Sequence, residues 1–194
     1  MYINNVYYTY MQQYNEQTCV IIKPDGVKRK LIGEIIRRIE QRDLQIVAIE
    51  MFQNTRESVL KQYPSTDAVF ERLGNKGKSS FTEVGWDVIE TFGTDDAIQM
   101  GKQVHNWLVT YLCSAPMVKM VVSGPHAIAM VRKIIGTTMP YRADMGTVRG
   151  DYSTDSPAIA NREKRVLMNI VHASEDMNEA ENEIGIYFDH VYEY

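Results

Sequence analysis

Four short β-forming runs punctuate the chain, at Thr18 to Pro24, Leu44 to Phe52, Met117 to Val122 and Asn169 to His172. Between them lie stretches whose apolar residues recur at helical spacing. From Leu31 to Arg42, for example, Leu31, Ile32, Ile35, Ile36 and Ile39 share a face opposite charged residues. A chain built this way must cover a small sheet with helices. The expected order is strand, helix, strand, helical excursion, strand, helix, loop, strand, helix. With the helices as crossovers this gives an α+β fold of ferredoxin-like, split βαβ type, a four-stranded antiparallel sheet covered by helices. Periodicity alone also allows a small doubly wound sheet.

Local signals set the expected boundaries. Pro24-Asp25-Gly26 predicts a turn, and Thr55 can cap a helix running to about Tyr63. Pro64 to Gly101 carries several Gly and reads as turns and short helices, followed by a helix over Lys102 to Leu112. Gly124-Pro125 should end the third strand. His126 to Ile135 should form a helix stopped by Gly136. Thr137 to Ser153 reads as a polar loop, and Ser156-Pro157 opens a short helix near Asp155 to Arg165. Asp176 or Asn178 can cap a last helix through about Phe188. Within the excursion, Gly74-Asn75-Lys76-Gly77-Lys78-Ser79 imitates a phosphate loop. Only two residues separate its glycines, where a working loop needs four for its amides to wrap phosphate. A solvated loop is the expectation there.

The 194 residues suffice for one domain with a sizeable core. The net charge of -4 gives no global basic field for nucleic acid, so no nucleic-acid partner is expected. No apolar run is long enough to span a bilayer, so no membrane partner is expected. Cys19 and Cys113 sit in apolar stretches and read as thiols in a reducing compartment. The start of the chain, MYINNVYYTYMQQYNEQ, is rich in Tyr, Asn and Gln and lacks the basic start and apolar core of a secretory signal. Residues 1–17 are expected to be an arm and 18–194 one domain, in the cytoplasm.

Three segments concentrate chemistry. Lys23 ends a buried strand in IIKPDGV, where an ammonium either points into a cleft or snorkels to water. Arg132, Thr138 and Arg149 lie in a stretch containing GTTMP and GTVRGD, with forked guanidinia suited to phosphate oxygens. The alternative there is a charged surface loop. His172 sits in NIVHASED, ahead of a helix rich in carboxylates that also suits the helix dipole.

Taken together, VIIKPDGV, GTVRGD and NIVHASED, with Glu183 eleven residues past His172, resemble the nucleoside diphosphate kinases. The likeness covers roughly Thr18 to Tyr63 and Leu108 to Phe188. It implies transfer of the γ-phosphate of a nucleoside triphosphate to a nucleoside diphosphate, by a ping-pong route through a phosphohistidine on His172. Glu183 and Ser174 would orient the imidazole. Lys23, Arg132, Arg149 and Thr138 would bind phosphates, Lys23 and Asn169 would reach the sugar, and Tyr63 would stand near the active centre. Magnesium would arrive on the nucleotide phosphates, with no all-protein metal site. The family assembles from dimers, so a homo-oligomer, hexamer or tetramer, is expected.

The sequence departs from the pattern in places. About 64–106 reads as an insertion, and a second one separates Arg149 from Asn169. Counting back from Leu108 puts Val104 where the family stacks a base on phenylalanine; Phe70, Phe81 and Trp107 are other candidates. Met139 and Met145 replace the usual Asn and Pro. His105, His126 and His190 match no functional position and default to surface or helix roles. A non-catalytic nucleotide sensor on the same scaffold is the competing expectation.

Overall fold

The computed structural model describes residues 15–189. Residues 1–14, most of the expected arm, and His190 lie outside the described residues. The strands are β1 Asn15–Ile22, β2 Gln45–Phe52, β3 Met117–Pro125 and β4 Val171–Ala173. The helices are α1 Pro24–Lys28, α2 Ile32–Glu40, α3 Arg56–Gln62, α4 Asp67–Val84, α5 Val88–Phe92, α6 Ala97–Leu112, α7 Ala127–Ile135, α8 Val148–Tyr152, α9 Pro157–Arg162 and α10 Met177–Tyr187. A 3-10 turn, Pro140–Arg142, precedes α8.

The sheet order is β2-β3-β1-β4 and every neighbouring pair is antiparallel. Strand β3 therefore lies between the two strands that α2 connects. This is the split βαβ arrangement, and the doubly wound alternative falls away. Alternation along the strands sorts side chains into two cores. Val20, Ile22, Val118, Met120 and Val122 face α2 and α7, where Ile35, Ile39, Val131 and Ile135 complete the packing. Cys19, Ile21 and Met117 face the opposite layer, with Val59 of α3, Leu108 and Leu112 of α6 and Tyr187 of α10. Ile35 and Ile39 have no exposed surface, and each such side chain contributes about 2 kcal/mol of burial.

Several boundaries move. Strand β1 begins at Asn15 rather than Thr18, because Asn15, Glu16 and Gln17 pair with Pro125, Gly124 and Ser123. The same pairing carries β3 through Gly124-Pro125 instead of stopping before them. Pro24-Asp25-Gly26 is the first turn of α1, with Pro at the tolerated N1 position. The expected loop of Thr137 to Ser153 contains the 3-10 turn and α8, whose cap is the Thr147 hydroxyl accepting from Gly150 N. Helix α9 is shorter than Asp155 to Arg165. Other caps fall as expected: Thr55 accepts from Ser58 N, and Asp176 rather than Asn178 accepts from Glu179 N.

The largest correction is at 64–101. In place of turns and short helices stands the 18-residue α4, antiparallel neighbour of a lengthened α6. GNKGKS is no solvated loop but the middle of α4, with Gly74 and Gly77 buried. A Cβ on Gly74 would run into the Ala97 carbonyl, and one on Gly101 into the Phe70 carbonyl. The glycines weaken the helix locally, yet they let two backbones touch. That contact is tertiary, so spacing along the chain does not reveal it. The hairpin builds its own core from Phe81, Phe92 and Met100 with Ala158 of α9.

Candidate active site

The site starts at a strained turn. Ile170 has φ of 73°, a conformation that is an outlier for a β-branched residue and costs about 1–3 kcal/mol. Val171 N donates to Asn169 O at 2.8 Å across it, closing a γ-turn. Surrounding bonds hold the strain in place. Lys23 N donates to Ile170 O at 2.8 Å, and Ile170 N donates to Asp25 Oδ2 at 3.0 Å. Gly26 is required beside it, since a Cβ there would approach Ile170 O to 2.8 Å. Asp25 Oδ1 in turn accepts from the Tyr111 hydroxyl of α6 at 2.5 Å. The turn sets Asn169 on one side and His172 on the other.

Asn169 joins two of the segments expected to bind phosphate. Its Oδ1 accepts from Lys23 Nζ at 2.7 Å and its Nδ2 donates to the Thr138 carbonyl at 2.9 Å. Arg149 is buried and donates from Nε, Nη1 and Nη2 to the carbonyls of Asn169, Gly136 and Val171 at 3.3, 2.7 and 2.7 Å. Five N–H groups are available to a guanidinium, so Nη1 and Nη2 each keep one hydrogen for another acceptor. Desolvation and the neighbouring Arg132 charge bring Arg149 down to about 10. Desolvation, then the Arg149 charge, bring Lys23 down to about 8, with Asp25 opposing. Helix α2 grips the Arg149 segment from behind, as Arg38 pairs with Asp151 at 2.6 Å and Asp151 Oδ1 accepts from Gly146 N at 2.7 Å.

His172 lies on β4 opposite Ile21 of β1. Its Nε2 is 2.6 Å from Glu183 Oε1, and Ser174 Oγ donates to Glu183 Oε2 at 2.7 Å. Glu183 has 1% of its surface exposed. Burial acts to raise its carboxyl, but the hydrogen bond and charge of His172, then Ser174 and Gln62, outweigh burial and hold it below the ordinary range. A carboxylate only accepts hydrogen bonds, so Nε2 carries the proton and the lone pair of the neutral ring sits on Nδ1.

Lys23, Tyr63 and His172 line one small cavity of about 10 Å³. Tyr63, at the end of α3, has its hydroxyl pushed far up by burial and the Glu183 charge. The structure thus brings together His172, Ser174, Glu183, Tyr63, Lys23, Asn169 and Arg149. Two residues stand at the rim: Arg132 is in a 3.2 Å ion pair with the exposed Glu175, and the Thr138 side chain is exposed. Among the base-stacking candidates, Phe81 is 1% exposed and packs on Trp86 and Phe92, while Phe70 packs edge-on against His105. Both rings are committed to the hairpin, and the half-buried Val104 and Trp107 also pack against its core, Trp107 beside Phe92.

Some contacts at the site had no sequence signal. His105 takes the helix role of its two expected ones, buried on α6, and its Nε2 lies 2.9 Å from the Tyr63 carbonyl. Gln62 donates to Glu183, and Tyr111 reaches Asp25 from α6. Asp25 lies within VIIKPDGV, the one sequence signal at these contacts. Donor atoms of His172, Glu179 and Glu183 lie within 4.8 Å of one another. The direct His172–Glu183 bond occupies the gap an ion would need between them.

A family profile described as nucleoside diphosphate kinase matches residues 16–83 and 88–192. The chain belongs to the nucleoside diphosphate kinase family. Most of the expected insertion, 64–106, lies inside the matched stretches. A nucleoside diphosphate kinase of Pyrobaculum aerophilum is 44% identical over 173 residues, 89% of this chain and 94% of the relative. One of Saccharolobus solfataricus is 36% identical over 174 residues, 90% of this chain and 95% of the relative. The solved NDP kinase of P. aerophilum superposes with a TM-score of 0.84, at 42% identity, covering 90% of this chain and 96% of that one. A nucleoside-diphosphate kinase of Borrelia burgdorferi, solved as a transition-state mimic with vanadate and ADP, gives 0.75 at 29% identity, covering 94% and 93%. This member of the family is a phosphotransferase enzyme that binds nucleotides. No helix among its described residues is long and apolar enough to cross a membrane.

Proposed function

We propose that the enzyme moves the γ-phosphate in two steps through a phosphohistidine on Nδ1 of His172. The observation that carries this is the bond between His172 Nε2 and Glu183 Oε1, which leaves Nδ1 as the free nucleophile. In the first step the Nδ1 lone pair forms a bond to the γ-phosphorus. The bond from phosphorus to the β–γ bridging oxygen breaks, and the diphosphate leaves with that electron pair. The ring keeps its Nε2 proton and becomes cationic, and the buried Glu183 carboxylate offsets the charge. A second diphosphate then enters, and its terminal oxygen takes the phosphoryl group by the reverse displacement.

Little covalent chemistry is left for other residues, so positioning and charge do most of the work. Lys23, Arg149 and Arg132 supply cations for the phosphate oxygens, and the Thr138 hydroxyl a further donor. Arg132 exchanges its partner Glu175 for phosphate, which an exposed pair worth about 1 kcal/mol or less permits. Lys23 and Asn169 reach the ribose hydroxyls, and Tyr63 closes the wall beside His172. Grip on phosphate and sugar makes base identity matter little.

Magnesium enters on the nucleotide. The cationic lining of Lys23, Arg132 and Arg149 fits an ion carried by phosphate oxygens better than one held by protein carboxylates. When bound, the ion supplies charge neutralisation between the phosphates. Two further elements of the proposal concern setting. The free thiols Cys19 and Cys113 support a reducing, cytoplasmic location. Ile49 and Met51 are 51% and 59% exposed on the edge strand β2, a surface suited to a second copy in a homo-oligomer.

The test is to incubate the protein with γ-labelled ATP and magnesium, then with unlabelled GDP. An acid-labile phosphoenzyme followed by labelled GTP is expected. Nucleotide binding without phosphoenzyme would instead support a sensor on the same scaffold.

A further inference from the structure

Glu183 is held by more than its two motif partners. Gln62, the last residue of α3, donates from Nε2 to Glu183 Oε1 at 2.5 Å, the same oxygen that receives His172 Nε2. Gln62 Oε1 accepts from the Tyr187 hydroxyl at 2.7 Å. Asn54 Nδ2 lies 3.4 Å from that hydroxyl and donates to it. Asn54 and Tyr187 are buried, at 5% and 6% exposure. The bonds therefore run one way, from Asn54 to Tyr187 to Gln62 to Glu183, with every proton pointing toward the carboxylate.

Charge fixes that direction. A flipped Gln62 would set its carbonyl oxygen against an anion and leave the Tyr187 hydroxyl facing an NH₂ group. Tyr187 is raised to about 12, chiefly by burial, so it stays a protonated donor at neutral pH. The residues belong to three separate elements, the β2–α3 connection, the end of α3 and the end of α10. They converge only because α3 and α10 pack on the same face of the sheet.

We infer that Gln62, oriented by Tyr187, is a positioning residue that locks the Glu183 carboxylate and through it the Nε2–H tautomer and ring angle of His172. Ser174 fixes only Oε2. Without a second donor on Oε1, the carboxylate can tilt about its Ser174 anchor and the imidazole swings with it. The cavity beside them, about 10 Å³, has room for at most one water to compensate. Misplacement of the nucleophile lowers the rate of in-line attack far more than it alters phosphate binding. The hydrogen bonds of Gln62 go to Glu183 and Tyr187, while Lys23 bonds Asn169, so loss of Gln62 should act on the imidazole before it acts on nucleotide affinity.

The inference rests on the phosphohistidine reaction proposed above, and the experiment separates the two. Gln62→Met keeps length and packing and removes both hydrogen bonds. It is expected to lower kcat about ten-fold while KM stays within about two-fold. Tyr187→Phe removes only the outer donor and is expected to give the same pattern at smaller size. Nitrogen-15 NMR of the imidazole, recorded without nucleotide, should show one Nε2–H tautomer in the wild type and a mixture in Gln62→Met. A folded Gln62→Met protein with an unchanged tautomer would overturn the inference, whether its kcat is unchanged or falls only with its Tm. A rise in KM with constant kcat would also overturn it, by placing Gln62 on the nucleotide. Absence of any phosphoenzyme in the wild type would defeat the reaction itself while leaving the tautomer result standing.

Discussion

The edge of the sheet around His172 and the α4–α6 hairpin are built on different principles. Around His172, structure is held by polar bonds of fixed geometry. Arg149 binds three carbonyls, Asn169 bridges Lys23 and Thr138, and Asp25 pins the strained Ile170. In the hairpin, structure is held by close contact, with Gly74 and Gly101 each against a carbonyl of the facing helix and aromatic rings filling the space beyond. The first kind of region tolerates little chemical change at its polar groups. The second tolerates little change in volume. His105 and Tyr111 of α6 join the two, one at the Tyr63 carbonyl and the other at Asp25.

Four substitutions or conditions sharpen that contrast. The largest effect belongs to His172→Ala, which removes the nucleophile without touching the cores. Phosphoenzyme should vanish and kcat should fall by at least about 10³-fold, while Tm falls moderately, because the buried Glu183 carboxylate loses its His172 partner and keeps Ser174 and Gln62. Phosphoenzyme that persists in the variant would place the nucleophile elsewhere. Arg149→Lys keeps a positive charge but cannot bind three carbonyls at once. Steady-state kinetics should show kcat/KM lower by about 100-fold. An effect of only two-fold would mean that the charge alone matters and the fork does not.

Gly101→Leu attacks the hairpin instead. Overpacking against the Phe70 carbonyl should cost about 3 kcal/mol or more in denaturant unfolding, while folded molecules still form phosphoenzyme. A stable variant would show that the helices do not touch as closely as described. The mildest effect comes from pH. Burial and the Arg149 charge bring Lys23 down to about 8, and the proposed reaction has phosphate meet its charged form. Nucleotide affinity should therefore weaken a few-fold as pH rises through about 8, and binding near that pH should take up a proton. Calorimetry in buffers of differing ionisation enthalpy reads this directly, and Lys23→Met should abolish the uptake.

The same contrast explains what was legible in the sequence. Lys23, Arg149, Asn169, His172 and Glu183 stand out in the sequence only through the resemblance that their segments carry together, in order, spacing and residue type; singly, each has an ordinary structural reading. Ile35 and Ile39 were legible because helical periodicity reflects burial, and β1 because a short continuous apolar run suits a strand buried on both faces. Gly74 and Gly77 misled, since glycine signals a loop unless a partner backbone is known to lie against it. Gln62 was silent for a related reason. A glutamine at a helix end is ordinarily solvated, and only the arrival of α10 turns it toward Glu183. Arg132 pairs with Glu175, a choice that no local sequence pattern encodes.

The claim that Nδ1 of His172 is the nucleophile rests on the 2.6 Å bond that commits Nε2 to Glu183. Phosphorus-31 NMR of the denatured phosphoenzyme, formed with ATP and magnesium, distinguishes phosphate on the two ring nitrogens. A resonance of Nδ1-phosphohistidine that is lost in His172→Ala is predicted. Phosphate on Nε2, or on any residue other than His172, would contradict the account.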